Sequence, residues 1–355
     1  MRRYRVGILG ATGLVGQRLL ERLEGHPWFE TAALGASERS AGRPYGEAVR
    51  WALEGEPPPD PAGLPVRACE PRAFEGCDLV LSGLDAESGR RIEPRFVEAG
   101  HAVVSNCSAH RSLPDVPVVV PEVNASHLDL IEAQRRRTGR GFLVTNPNCS
   151  VTGLVLALAP LHRAFVARRA VVVTLQALSG AGLEGPRGLE IVDNVIPFIP
   201  GEEEKIEAET GKILGTVAGG AVRGARLEIS AHCHRVGTID GHLAALSVEF
   251  ESGPAPEEAA EALRAFRGES EGLGLPSAPE RPVVVIEGPD RPQPRRDRLA
   301  GGGMSVVVGR IRPCPVLGLR LELLAHNAVR GAAGGTLLNA ELLVARGLVG
   351  GGRGA

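Results

Sequence analysis

The chain has 355 residues, 43% of them hydrophobic and only 3% aromatic, with a formal net charge of −2. That allows two soluble domains with cores of Val, Leu, Ile and Ala, and the scattered arginines of a near-neutral chain imply no nucleic-acid partner. Apolar runs such as residues 116–120 fall far short of the roughly 20 residues that span a membrane, so no membrane partner is implied either.

Residues 5–9 read as an apolar strand entered almost at once, which leaves no room for a signal peptide. With six cysteines and no close-spaced pair among them, the chain reads as a reduced, cytoplasmic protein. Gly10, Gly13 and Gly16 follow the strand and open a helix over 14–23, with apolar spacing at Leu14, Val15, Leu19, Leu20 and Leu23. Such a turn lets the backbone approach a pyrophosphate seated on the helix N-terminus. The spacing is GxxGxxG, not GxGxxG, and its place after the first strand is what makes it a nucleotide signal. A second strand over 31–34 leads into Ala36-Ser37-Glu38-Arg39-Ser40, where hydroxyls and a guanidinium suit a 2′-phosphate, hence NADP. Glu38 is the alternative, as partner of a bare ribose hydroxyl, and Arg39 alone also reads as a solvated loop residue. Proline-rich residues 57–61 mark a surface loop within this half. Further apolar strands over 79–81, 102–104 and 142–146 alternate with helical stretches, as in a parallel sheet covered on both faces.

From about Cys149 the pattern changes. Cys149 stands just after a strand and at a helix start, where the local field favours a thiolate; the alternative is a cysteine that merely packs. Longer strands follow over 170–177, 227–234, 243–250, 282–286, 304–312 and 317–324. Several alternate apolar and polar residues, which predicts a second, largely antiparallel domain with one face wet or covered by a partner. Gln176 ends the first of these strands before Ser179-Gly180-Ala181-Gly182, and Arg235 and His242 flank a Gly-containing turn. A thiolate needs a base nearby and a planar guanidinium suits a carboxylate, so Cys149, Gln176, Arg235 and His242 make a candidate site for covalent catalysis. His232, Cys233 and His234 alternate faces on a strand and cannot readily converge on one metal ion. The chain closes with an amphipathic helix over 334–348 and a tail, 350–355, expected to fray.

The stretches Gly10-Ala11-Thr12-Gly13-Leu14-Val15-Gly16, Ser108-Ala109-His110-Arg111, Pro121-Glu122-Val123-Asn124, Asn146-Pro147-Asn148-Cys149, Gln176-Ala177-Leu178-Ser179-Gly180-Ala181-Gly182, Arg291-Pro292-Gln293-Pro294-Arg295 and His326-Asn327-Ala328-Val329-Arg330-Gly331-Ala332-Ala333-Gly334 follow a familiar order. Through them the chain resembles the aspartate-semialdehyde dehydrogenase family, in its archaeal and fungal branch, over nearly the whole length. The resemblance implies an α/β fold, with an N-terminal Rossmann-like parallel sheet and a second α+β, largely antiparallel catalytic and dimerisation domain. Residues 1–148 with 333–355 would form the NADP-binding domain, to which the closing helix returns, and 149–332 the second, in a homodimer or homotetramer. It further implies NADPH-dependent reduction of L-aspartyl 4-phosphate to L-aspartate 4-semialdehyde, with release of phosphate, through a thioester on Cys149.

In that scheme Asn148 and nearby backbone N–H groups stabilise the oxyanion, and Gln176 orients the acyl-enzyme. Arg235 grips the α-carboxylate, while His242 activates the thiol or shuttles the proton of the hemithioacetal. Arg111 and Lys205 match phosphate and substrate positions and Glu202 the contact to the substrate amino group, although Glu202-Glu203-Glu204-Lys205 also reads as an ordinary solvated helix start. Cofactor contacts carried over by resemblance are Gly10, Thr12, Gly13, Leu14, Val15, Ser37, Arg39, Ser40, Ser82, Gly83, Ser179, Gly180 and Asn327. The chain departs from the branch at His234, where a small residue or asparagine is expected, and at Leu243-Ala244, where a polar pair is expected after the histidine. It departs again at Cys107, either a second, oxidation-sensitive thiol or a small apolar filler. Rival readings are a sister reductase acting on N-acetylglutamyl phosphate or malonyl-CoA, and a Cys-His hydrolase with no redox step. Arg111, Lys205 and Arg235 together favour a small substrate carrying both phosphate and carboxylate.

Overall fold

A computed structural model describes residues 3–186 and 188–350. The first half runs β1 (Tyr4–Leu9), α1 (Leu14–Leu23), β2 (Phe29–Ala36), β3 (Val66–Ala68), β4 (Leu79–Ser82), α2 (Ala86–Glu98), β5 (Ala102–Ser105), α3 (Leu130–Thr138) and β6 (Phe142–Thr145). All six strands pair in parallel, in the order β3-β2-β1-β4-β5-β6. Their continuous apolar runs are buried on both faces, as Ile8, Leu81 and Val104 illustrate on one and Leu9, Val80 and Val103 on the other. β2 extends beyond the expected 31–34 because pairing with β1 continues through Glu30, whose side chain faces water. The strand order reverses between β1 and β4, the place where an open parallel sheet leaves a crevice at its carboxyl edge. Gly10 sits there with φ of +73°, and a Cβ on it would lie 2.9 Å from the carbonyl oxygen of Gly83, so the turn admits no side chain.

The second half holds α4 (Cys149–Phe165), β7 (Ala167–Gln176), α5 (Glu202–Ile213), a hairpin of β8 (Thr216–Ala218) and β9 (Ala221–Arg223), then β10 (Glu228–Arg235), β11 (His242–Phe250), α6 (Pro256–Ala265), β12 (Val283–Val285), β13 (Val306–Cys314), β14 (Gly318–Ala325) and α7 (Gly334–Ala345). Its six-stranded sheet, β10-β7-β11-β14-β13-β12, is antiparallel in its centre and parallel at both edge pairs. The β7–β10 pair is parallel because a long connection containing α5 carries the chain back to the same end. Leu154 and Leu158 of α4, Ile206 of α5 and Leu263 of α6 pack with Val172, Leu246 and Leu321 of the sheet in one core. Val171 and Leu175 of β7 are instead exposed, as are Val195, Phe198 and Ile239 in the neighbouring loops.

Helix α7 differs from the amphipathic helix expected over 334–348. It ends at Ala345 and is buried all round from Gly334 to Leu343. Leu337, Leu338, Leu342 and Leu343 join the core of the first sheet, so the closing helix does return to that half. Its polar residues bond inside rather than face water: Asn339 donates to the Val119 carbonyl at 3.0 Å and to Asn146 at 2.8 Å, and Glu341 accepts from His26 at 3.0 Å. Glu122 and Arg330, from two of the quoted stretches, meet in a fully buried ion pair at 2.5 Å. Of the tail expected to fray, 351–355 lie outside the described residues.

Candidate active site

Cys149 is the first residue of α4, directly after the Asn146-Pro147-Asn148 turn that leaves β6. Asn148 caps the helix: its side-chain oxygen accepts from the N–H groups of Ser150 at 2.9 Å and Val151 at 3.3 Å. The Cys149 sulfur faces a pocket of about 500 Å³ also lined by Asn148, Arg111, Gln176, Glu202, Lys205 and Arg235. His242 stands behind it, with Nε2 at 3.2 Å from the sulfur. The nucleophile candidate and its partners therefore come from both halves of the chain.

Arg235 and His242 do not reach the pocket across a hairpin. β10 and β11 flank β7 on opposite sides, and Arg235 lies opposite Gln176 in the register. The loop between them straddles the carboxyl end of β7, where Leu178 and Ser179 donate to the carbonyls of Thr238 and Ile239. One strand end thus carries Gln176 between an arginine and a histidine. Arg235 donates to the Ala177 carbonyl at 2.7 Å, which aims the guanidinium along the pocket wall.

Helix α5 supplies a run of charged groups. Glu202 accepts from both Asn148 (3.0 and 2.8 Å), Lys205 (2.9 Å) and Gln176 (3.3 Å). Burial alone would raise its carboxyl, but the Lys205 ammonium and these hydrogen bonds outweigh it and hold Glu202 below the usual range. The Asn148 amide nitrogen is thus anchored on Glu202 through an N–H shared between the two carboxylate oxygens. One and two turns further along, sequence reading missed two residues. Glu209 accepts from Arg111 at 3.1 Å and from the Asn148 N–H at 2.6 Å, while Lys212 donates to the carbonyls of Arg111, Leu113 and Val116 at 2.7, 2.7 and 2.8 Å. The signal was present, since Glu202, Lys205, Glu209 and Lys212 repeat at helical spacing on one face. The carbonyls are not readable from sequence.

Electrostatics in the pocket run against the simple expectation for a helix-start thiol. Burial pushes Cys149 up to about 12, with Glu202 adding to it, while Arg111 and Arg235 pull the other way without prevailing. Burial likewise depresses His242 to about 3, helped by Arg235 and His326. The pair is a neutral thiol beside a neutral imidazole. Cys107 also lines the pocket, but its thiol is pushed up to about 11 by burial, donates to the Asp85 carbonyl and accepts from the Ala109 N–H. It behaves as a buried filler.

A second cleft adjoins the first, the two sharing Leu14, Val15 and Gly180. Gly10, Thr12, Gly13, Leu14, Val15, Ser37, Arg39 and Gly83 line it, with Arg91 of α2 opposite, a residue the sequence did not single out. Gly13 caps α1 without any side-chain bond, which leaves the first N–H groups of the helix open to an anion. Arg39 is exposed and has no ion pair among the described residues. These features fit a dinucleotide phosphate. Two expected contacts lie apart from the cleft: the Ser82 hydroxyl is fully buried at the end of β4 and accepts from Leu84, and Ser40 turns back to bond Ser37. Ser179 and Asn327 line the catalytic pocket, tied to each other at 2.7 Å, and Asn327 also accepts from Gly241 at 2.8 Å.

Residues 5–131 match the family Semialdehyde dehydrogenase, NAD binding domain, and residues 158–330 match Semialdehyde dehydrogenase, dimerisation domain. The chain is 50% identical over 341 residues to an aspartate-semialdehyde dehydrogenase of Methanothermobacter thermautotrophicus, covering 95% of this chain and 98% of that one. It is 46% identical over 354 residues to the enzyme of that name from Schizosaccharomyces pombe, covering 97% and 99%. Among solved structures, aspartate semialdehyde dehydrogenase with NADP from Candida albicans superimposes with a TM-score of 0.90 at 42% identity, covering 97% and 99%. A Vibrio cholerae aspartate semialdehyde dehydrogenase II complexed with ASA gives 0.76 at 28% identity, with the same coverage.

Proposed function

The chain belongs to the aspartate-semialdehyde dehydrogenase family, and from that membership we propose how its residues divide the reaction among them. The activity is NADPH-dependent reduction of L-aspartyl 4-phosphate to L-aspartate 4-semialdehyde and phosphate, a step in lysine, threonine and methionine biosynthesis. The observation that carries the assignment of roles is the Cys149 sulfur 3.2 Å from His242 in a pocket lined by Arg111, Lys205 and Arg235, open to the nucleotide cleft.

Cys149 attacks the C4 carbonyl, and expulsion of phosphate leaves a thioester on its sulfur. Arg235 takes the α-carboxylate in a paired fork, and Glu202, held ionised, takes the ammonium. Arg111 and Lys205 bind the phosphate, Gln176 orients the acyl group, and Asn148 with neighbouring N–H groups serves the oxyanion. NADP, when bound, supplies or accepts the hydride; the open N-terminus of α1, the Gly10 turn and Arg39 would hold its phosphates. Residues 1–148 with 333–355 serve the cofactor and 149–332 the chemistry.

The exposed Val171, Leu175, Val195 and Phe198 are a face for a second copy, in a homodimer or homotetramer. Six unpaired cysteines suit a reducing cytoplasm. Phosphate-dependent oxidation of aspartate semialdehyde, followed at the nicotinamide absorbance with NADP and NAD side by side, tests the activity and the cofactor choice. Light scattering of Phe198→Asp beside wild type tests the face, a shift to monomer being the expected result.

A further inference from the structure

Glu93 stands on the inner side of α2, fully buried, and lines neither the catalytic pocket nor the nucleotide cleft. Its Oε1 accepts from the Ser105 hydroxyl at 2.6 Å, and its Oε2 lies 3.3 Å from Nε2 of His110. One side chain therefore touches both ends of the loop whose Asn106, Cys107, Ser108 and Arg111 face the catalytic pocket. We infer that Glu93 is a positioning residue for phosphate, setting where this loop puts the Arg111 guanidinium without touching substrate itself. The inference rests on the reading in which Arg111 binds the phosphate.

Each contact passes its constraint along the loop. The Ser105 oxygen, fixed by donating to Glu93, accepts the Cys107 N–H at 2.9 Å, and the Cys107 sulfur in turn donates to the Asp85 carbonyl and accepts from the Ala109 N–H. At the far end, Nε2 of His110 faces two acceptors, Glu93 Oε2 and the Gly89 carbonyl, each at 3.3 Å, so that nitrogen carries a proton. The hydrogen bond goes to Gly89, and Oε2, without a hydrogen bond of its own, meets the same N–H as an electrostatic neighbour. Helix α2 comes this close because residue 89 is glycine: a Cβ there would lie 2.4 Å from the Cys107 sulfur. From the pocket side, Arg111 is held by the Asn106 carbonyl at 2.8 Å and by Glu209 at 3.1 Å. The loop is thus clamped between α2 and α5.

The carboxylate has no equal substitute in its own amide. A glutamine that accepted from Ser105 through its oxygen would set its NH2 about 3.3 Å from the His110 N–H, donor against donor. Turned over, it would leave the Ser105 hydroxyl without its acceptor. Either way one end of the loop is released, and Arg111 keeps its charge but loses its aim. A misplaced guanidinium weakens the anion that pairs with its fork and leaves groups bound elsewhere as they were.

Steady-state oxidation of aspartate semialdehyde, with inorganic phosphate, NADP and aspartate semialdehyde varied in turn, reads the role. Glu93→Gln should raise KM for phosphate at least about tenfold, the order of one lost charge-assisted bond, with kcat and the other two KM values changed less than about twofold. Ser105→Ala, which removes one hydroxyl and keeps the carboxylate, should move phosphate KM the same way by less, and it carries the test should a thermal melt show Glu93→Gln unfolded. Losses spread evenly over kcat and all three KM values would mean a general packing role and overturn the inference, as would wild-type phosphate KM in both variants. The Arg111→Ala background decides the route. If Glu93 acts through Arg111, adding Glu93→Gln to Arg111→Ala raises phosphate KM no further, whereas a step as large as in the wild-type background overturns the inference. Wild-type phosphate KM in Arg111→Ala alone would instead remove Arg111 from the phosphate site, and with it the reading on which the role of Glu93 rests.

Discussion

Cys149 illustrates how a single residue answers to opposing fields. The helix start and two arginines favour its thiolate, yet burial and Glu202 leave it a thiol. Cys149→Ser should therefore bind NADP normally while turnover falls by several orders of magnitude, because a covalent pathway is lost rather than an interaction weakened. Isothermal titration with NADP beside a turnover assay checks both halves. Arg235 has a more geometric duty. With one nitrogen committed to the Ala177 carbonyl, the rest of the fork meets the substrate at a set angle. Arg235→Lys keeps the charge and loses the plane, so KM for aspartate semialdehyde should rise at least tenfold, about 1.4 kcal/mol. For Arg39 the expected outcome is selective: Arg39→Ala raises KM for NADP and leaves that for NAD nearly unchanged, since only NADP carries the 2′-phosphate.

At the scale of elements, α5 acts as a ruler between the two halves of the molecule. Its first turn presents Glu202 and Lys205 to the pocket, and its later turns hold the Arg111 loop through Glu209 and Lys212. Glu209 also ties down the N–H of Asn148, the cap of the nucleophile helix. In Glu209→Gln the neutral amide loses its charge on Arg111, and phosphate KM should rise about tenfold with a smaller change in kcat, consistent with one charge-assisted bond. An effect confined to kcat would mean that Glu209 acts on the nucleophile instead. The α5 face was legible as a repeat of Glu and Lys, but its targets are backbone carbonyls far away in sequence. Likewise α7 looked amphipathic because its polar residues recur periodically; packing turned those positions inward to pair with Asn146, Val119 and His26.

For the whole molecule, buried ionisable groups set the response to pH and to mutation. His242 and His326 are depressed to about 3 and about 4 by burial, so the unfolded chain binds their protons first as the pH falls below the ordinary value near 6.5. Stability is therefore lost from about pH 6.5 downward, by up to about 1.4 kcal/mol per pH unit for each histidine, until the folded values are reached. Thermal melts across that window should show the loss, and His242→Gln should make it shallower. Glu122→Ala, which strands Arg330 without its partner in the core, should cost about 3–5 kcal/mol in denaturant titration.

Local rules carried the chain far without any tertiary information. Apolar strands alternating with helices announced the parallel sheet, the glycines after β1 announced a phosphate turn, and Cys149 stood visibly at a helix start. Those features depend on neighbours within a few residues, where periodicity and turn chemistry act directly. Resemblance then supplied the reaction. Only the folded chain decided that the second sheet is parallel at both edges, that Arg235 and His242 close on the pocket from either side of β7, and that Glu209 and Lys212 serve the site. It also brought the Ala177 N–H within 3.0 Å of Nδ1 of His242, where a loop crosses a strand end. Burial and hydrogen-bond partners are properties of what lies across space, and a sequence lists only what lies along the chain.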